Sequence, residues 1–452
     1  MERARRVRIR FIDLVITGAL LLAVLGPASW HVDAAGLLLQ HGAAGAPAGP
    51  EGAGGEFVRP ALRTESRLTD TPPTMGREMA PVIVQGAALP HLAGAPTDDL
   101  FVYAYGAGGY AQIPFQVDEM VGGTYTSTVG SPLDDEDELV FMASDLGGRP
   151  DTEDLTATLP ISDTWYRLEV TDPLSPTAKG WAYVVRSSSL TQTFTQTYTS
   201  FITGTGHIST TAYNLGFLDG HPGLDVLEMN GSGEDILDRT KIRATIFGNP
   251  ITEENSLLAS PDPDPIKGGP VRVIVQNRGV IGYRSIFQTL VNVTAPAPVS
   301  AARLSTDFTS QASGATFYNA VLPGGATVDG NPTEAVPETP LSPWWQVSDD
   351  TGTLVQVADS SGVGGTRVNY YKDDDTFDGA DTGDGKSYGD TGISVTSPNM
   401  TITYIATFWV MPPGPHRVGD VVAYHAAHPL QVTAIAPSTL VHDVYLPLAL
   451  KN

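Results

Sequence analysis

The chain has 452 residues with 48 glycines, 35 prolines and no cysteine, and its 50 acidic residues outnumber 26 Lys plus Arg, giving a formal charge of −24. Without cysteine there is no disulfide framework, thiolate metal site or cysteine nucleophile, and so acidic a surface disfavours nucleic acid and anionic lipid as partners. The Gly and Pro content favours sheets and turns over long helices.

Residues 1–34 read as a secretory signal peptide. Arg3, Arg5, Arg6, Arg8 and Arg10 precede an apolar run at 14–25, and Val32-Asp33-Ala34 supplies a small-x-small cleavage site. The run is shorter than the ~20 residues of a spanning helix. Arg5-Arg6 is similar to the start of a twin-arginine signal, but Arg8 stands where that signal needs a hydrophobic residue. Cleavage after Ala34 removes five arginines and three acidic residues, leaving the mature chain more acidic still. No later run reaches ~18 apolar residues, so no transmembrane segment is expected after signal cleavage. Residues 35–80, centred on GAAGAPAGPEGAGGE, have no hydrophobic period and read as a flexible linker.

A first β domain or sub-domain is expected over 81–187, beginning with PVIVQG at Pro81. Strands are predicted at 100–105, 112–117, 139–143, 161–171 and 181–185. In the fourth, Tyr166, Leu168 and Val170 share one face, with Trp165, Arg167 and Glu169 on the other. Between the second and third lie five successive carboxylates, Asp134, Asp135, Glu136, Asp137 and Glu138. Such a run repels itself unless water, salt or a cation screens it. Asp135 and Asp137 are the candidate ligands here, with Asp118 or Glu119 joining them if the strands come together; the other reading is a simple hairpin tip.

A large β-sandwich domain is expected over 188–437. From 191 to 199 every odd residue is threonine, which fits either a flat hydroxyl ladder facing carbohydrate or ice, or a solvated strand face. At 241–247 the alternation puts Ile242, Ala244 and Ile246 inward and Lys241, Arg243 and Thr245 outward. Strands follow at 271–275 and 283–293. The clearest runs over 400–410, with Met400, Ile402, Tyr404, Ala406, Phe408 and Val410 on one face. A last strand pair is predicted at 421–424 and 431–435, and a tail at 438–452. The fold class is mainly β: stacked antiparallel sheets, a β-sandwich or supersandwich, with few helices.

The second acidic stretch, NYYKDDDTFDGADTGDGKSYGD at 369–390, sets aspartates among glycines and threonines. Calcium takes six to eight oxygens from such loops. Asp374, Asp378, Asp381 and Asp384 are its candidate ligands, although Gly385 stands where an EF-hand needs a bidentate glutamate. ADTGDGKS at 380–387 meets a relaxed phosphate-loop pattern, but its flanks are aspartates and turn residues, so no nucleotide is expected. His425-x-x-His428 lacks a third ligand, and no nucleophile elbow is present. Sugars stack on aromatic faces, which makes Trp344, Trp345, Tyr370, Tyr371, Tyr424 and His425 candidate ligand-binding residues; adjacent aromatics that alternate between core and solvent are the structural alternative.

The segments DILDRTKIR (235–243), GGPVRVIVQ (268–276), 299–308 and PWWQVSDDTGTLVQV (343–357) resemble the galactose mutarotase-like β-supersandwich of sugar epimerases and several polysaccharide lyases. The resemblance spans roughly 206–437 and implies a two-sheet domain with a concave, sugar-facing surface. YLPLALK, within the final residues VHDVYLPLALKN (441–452), is similar to a short terminal tail of secreted bacterial proteins, a resemblance that implies sorting or surface attachment; as a bare pattern it equally fits an ordinary final edge strand. The leading expectation is a secreted or cell-surface protein that binds extracellular glycan, with calcium stiffening its acidic loops. The alternative is a polysaccharide lyase, in which Arg239, Arg243 or Arg284 neutralises a uronate carboxylate and His207, His221 or Tyr283 takes the C5 proton. A non-catalytic adhesion or cell-envelope module is the third.

Overall fold

The computed structural model describes residues 76–437, apart from 129, 151–154, 156–157, 162–163, 222, 253–261, 296 and 415–416. The expected signal peptide, linker residues 35–75 and the tail 438–452 lie outside the described residues. Among the described residues the strands form six sheets, all paired antiparallel where neighbours meet. The protein is mainly β, with stacked antiparallel sheets.

Two sheets build the N-terminal unit. In the first, Glu138–Met142 lies between Pro81–Gln85 and Phe115–Asp118. The second runs Gln431–Ile435, Trp165–Asp172, Ser175–Arg186, Leu100–Gly106, Gly109–Gln112. Alternate residues of these strands turn inward and bury Val82, Val84, Leu139, Phe141, Leu168, Val170 and Val184 in one core. The first strand of that second sheet comes from the far end of the chain: Gln431 faces Thr171 and Ile435 faces Arg167.

The larger unit is a sandwich. One layer is a five-stranded sheet in the order Asn249–Thr252, Leu237–Ile246, Val299–Phe308, Ser387–Thr396, Thr366–Asp374. The other is a nine-stranded sheet whose middle holds Ile286–Thr294, Thr401–Met411, Thr353–Asp359 and Trp344–Ser348. A four-stranded sheet from Thr199–Ile202 to Leu224–Met229 adds Ile208, Leu215 and Leu227 to the same core. Ile402, Tyr404, Ala406, Phe408 and Val410 all face that core, as their alternation predicts. Met400 sits just before the strand and is 48% exposed. The opposite face of this strand is covered as well: Ile405 and Trp409 pack with Met120, Tyr125, Val140, Tyr283 and Ile286, where the N-terminal unit meets the nine-stranded sheet.

Three expectations are corrected. Lys241 is not outward but 1% exposed, because the loop 375–386 between two strands of its own sheet brings Asp381 to it, and Asp307 and Asp381 pair with its ammonium. The predicted strand at 421–424 is part of the helix Gly419–Ala427. Its three alanines are strong helix formers, Asp420 sits in the first turn where the helix dipole favours a carboxylate, and Gln346 Oε1 accepts from Val418 N (2.8 Å) and Gly419 N (3.0 Å) at the start. The threonine run at 191–197 is irregular and exposed; its neighbours Gln192 and Gln196 are exposed too, so no one-sided ladder forms, and the strand starts only at buried Thr199.

Candidate functional site

The first acidic stretch is anchored by a residue from the middle of the chain. Arg272, wholly buried, reaches Asp118 Oδ2 with Nε (2.6 Å) and Glu138 Oε2 with Nη2 (2.6 Å). Its Nη1 donates to the Tyr283 hydroxyl (3.2 Å), and its guanidinium lies 5.1 Å from the Tyr125 ring centroid. Tyr125 in turn donates to Glu138 Oε2 (2.9 Å). Gln116 Oε1 accepts from the backbone N–H groups of Val271 (3.0 Å) and Arg272 (2.8 Å). Burial opposes a charge here, but Tyr125, Asp118, Tyr283 and Glu138 outweigh it and hold the guanidinium firmly protonated. A cation with two carboxylates in a dry site fixes one geometry. The N-terminal unit is thereby locked onto the nine-stranded sheet.

Above this lock opens a cleft of about 1010 Å³ between the N-terminal unit, the nine-stranded sheet and the helix Gly419–Ala427. Ile83, Ile286, Trp409, Met411 and Val421 give it apolar walls. Polar groups converge on the same space. Gln288 Nε2 donates to Thr407 Oγ1 (3.1 Å), Gln85 Nε2 donates to Glu138 Oε1 (2.8 Å), and Asp135 and Glu136 stand at the rim. A large, mainly apolar cleft between units with a few placed polar groups is the usual form of a ligand site. Arg77 braces one end, pairing with Asp172 (3.1 Å) and donating to the carbonyls of His425 (3.1 Å) and His428 (3.0 Å) at the helix C-terminus. Burial and Arg77 together push the His425 imidazole below its usual range.

Of the predicted ligand-binding residues, His425 lines this cleft, while Tyr424 is 57% exposed and packs on His428. Trp344 and Trp345 are both buried. Trp344 Nε1 donates to Asp420 (3.0 Å) under Arg417, and Trp345 meets Phe308 and Phe408 edge-on. Tyr370 accepts from Arg303 (2.6 Å) and donates to Asp390 (3.3 Å), and Tyr371 packs on Phe317. Trp409, Gln288, Thr407 and Arg272 were missed. A signal for Trp409 existed, since a large aromatic on the face opposite a strand's core face needs its own cover.

The predicted metal ligands are sorted differently by the structure. Asp137 joins Glu119 and Asp134, each offering an oxygen within 4.8 Å of the others; Asp135 points elsewhere, lining the cleft. Burial foremost pushes the Asp137 carboxyl up to about 6, against two backbone N–H donors, from Met120 and Asp134. In the second stretch Asp374, Asp378 and Asp384 close local turns, accepting from Thr376 N (3.0 Å), Ala380 N (2.9 Å) and Lys386 N (2.8 Å). Asp381 pairs with Lys241 (3.0 Å) and with Arg243, which together overcome its burial and hold its carboxyl well below the usual range. The oxygens that gather there belong to Asp329, Glu334 and Asp373, and Asp373 already accepts from three backbone N–H groups.

The six lyase candidates do not converge on one site. Tyr283 lies under the cleft beside Arg272, its hydroxyl pushed up by burial against the pull of that guanidinium. Arg284 lies over the Tyr198 ring and Arg243 pairs with Asp381. The His221 carbonyl accepts from Arg278 Nη1. Burial raises the Asp225 carboxyl against the pull of Arg239. None of the described helices is long and apolar enough to cross a membrane. No known family model matches the chain, and no curated protein matches it either.

Proposed function

We propose that this is a secreted or cell-surface β-sandwich protein that binds an uncharged extracellular glycan in the cleft between its two units. The observation that carries the reading is the combination in that cleft of the Trp409 ring with Gln288, Thr407 and Gln85. Trp409 and the aliphatic wall take the C–H face of a sugar, and the side-chain amides and hydroxyl take its edge. Asp135 and Glu136 at the rim repel uronates and favour neutral polymers. The calcium part of the reading rests on Glu119, Asp134 and Asp137, hard oxygen donors next to that rim. The ion would stiffen the mouth and take no part in chemistry.

The test is retention of the mature chain on neutral and acidic polysaccharides, with calcium and with chelator, and the same for Trp409→Ala. Retention on neutral polymers that is lost in the variant supports the reading. Retention that ignores Trp409, or none on any polymer, sinks it and leaves an envelope structural protein. Unsaturated oligosaccharide products in the same assay would instead select a lyase.

A further inference from the structure

Lys241, Asp307 and Asp390 lie on three adjacent strands of the five-stranded sheet: Leu237–Ile246, Val299–Phe308 and Ser387–Thr396. All three side chains are 0% exposed. Across the first strand pair Lys241 faces Ser305 and Arg239 faces Asp307, so the lysine reaches its aspartate diagonally, and Nζ touches Asp307 Oδ2 directly. The other oxygen of Asp307, Oδ1, accepts from the backbone N–H of Tyr388 (3.2 Å). Asp390 Oδ2 is held by the Tyr370 hydroxyl (3.3 Å) and lies 3.6 Å from Arg303 Nη2. Its Oδ1 is buried and has no hydrogen-bond partner among the described residues. The remaining charged groups facing Lys241 are Asp381 (3.0 Å) and Asp238 (4.0 Å).

We propose that Lys241 and Asp307 condense into an intramolecular amide, a covalent rung between neighbouring strands that the folded protein forms without any cofactor. An amine and a carboxyl in contact, held by strands and shielded from water, are the reactants of an amide bond at high effective concentration. The Nζ–Cγ bond forms and the Cγ–Oδ2 bond breaks. From the ion pair Nζ gives up two protons, both end on Oδ2, which Nζ touches, and that oxygen departs as water. The ion pair and the neutral pair differ by one proton transfer, so either loses the same water and gives the same amide. No oxidant or activating group is required. As Nζ adds, negative charge grows on Oδ1, where the Tyr388 N–H already points. The product replaces two buried charges with one neutral amide, which removes their desolvation penalty, and exclusion of water from the core opposes hydrolysis. In a chain without cysteine this is a covalent crosslink of another kind.

Intact-mass measurement of the denatured full chain tests this, followed by peptide mapping. The expected result is a protein lighter than its sequence by one water, with a branched peptide joining Lys241 to Asp307. The full sequence mass, with both peptides linear, overturns the proposal. So does a water loss that maps to a linear peptide at Asp219-Gly220, Asp329-Gly330, Asp378-Gly379 or Asp384-Gly385, where succinimide formation loses water too. Lys241→Arg is expected to have its full mass. The wild-type mass decides the proposal even if a variant fails to fold.

Discussion

Removing the Arg272 guanidinium is the most severe single change the structure suggests. Arg272→Met keeps most of the side-chain volume but leaves Asp118 and Glu138 facing each other in a dry site without their cation. Breaking one buried ion pair costs about 3–5 kcal/mol, and here two carboxylates lose the same partner. The loss is expected at or above the upper end of that range, comparable with the whole stability of a small domain at about 5–15 kcal/mol. Urea unfolding followed by tryptophan fluorescence measures it. The decisive comparison is Arg272→Met combined with Asp118→Asn and Glu138→Gln, which removes the stranded charges and is expected to recover most of the loss. A single variant that loses less than about 1 kcal/mol, or a triple variant no better than the single, would refute the claim that this cation locks the two units together.

Trp409→Ala is expected to weaken glycan retention at least about tenfold, or ~1.4 kcal/mol, measured by affinity electrophoresis with the fold checked by circular dichroism. Asp238, raised to about 6 chiefly by burial, holds its proton more tightly folded than unfolded. Its contribution is therefore full below the unfolded carboxylate range and is lost as pH rises from about 4 through about 6. Thermal midpoints across that window should fall more steeply in the wild type than in Asp238→Asn; equal slopes would remove Asp238 from the account. A Cβ on Gly86 would lie 1.8 Å from the Asp134 carbonyl oxygen, which is backbone and cannot swing aside. Gly86→Ala should therefore cost about 1–3 kcal/mol by displacing the acidic hairpin, and an unchanged thermal midpoint would contradict that contact.

Period-two patterns made the strand faces legible, and the pairing of Phe115–Asp118 with Glu138–Met142 followed from two apolar runs around an acidic connection. Glu119 and Asp137 were recognisable as neighbours for the same reason, since that hairpin is local. Lys241 and Arg272 were not legible. A charged residue in an alternating strand reads as a solvent-facing one, and their partners stand 66 residues away in one case and 154 and 134 in the other. Trp344 and Trp345 look like a stacking platform in sequence, yet the helix covers one face of their strand and the sandwich core covers the other. Aspartates 374, 378 and 384 resemble a cation loop because turn closure and calcium binding draw on the same short carboxylates.

The pairing of Gln431–Ile435 with Trp165–Asp172 sets the order in which the molecule can be completed during synthesis. When the ribosome has made the first 187 residues, that sheet still presents an open edge at Trp165–Asp172, and it keeps this edge through the making of the entire sandwich. Long-range closure of this kind is slow, and an unpaired edge invites pairing with another chain. Nascent chains stalled before residue 431 should therefore be the aggregation-prone species, and a chaperone that shields one bare strand would serve this protein better than one that encloses the whole.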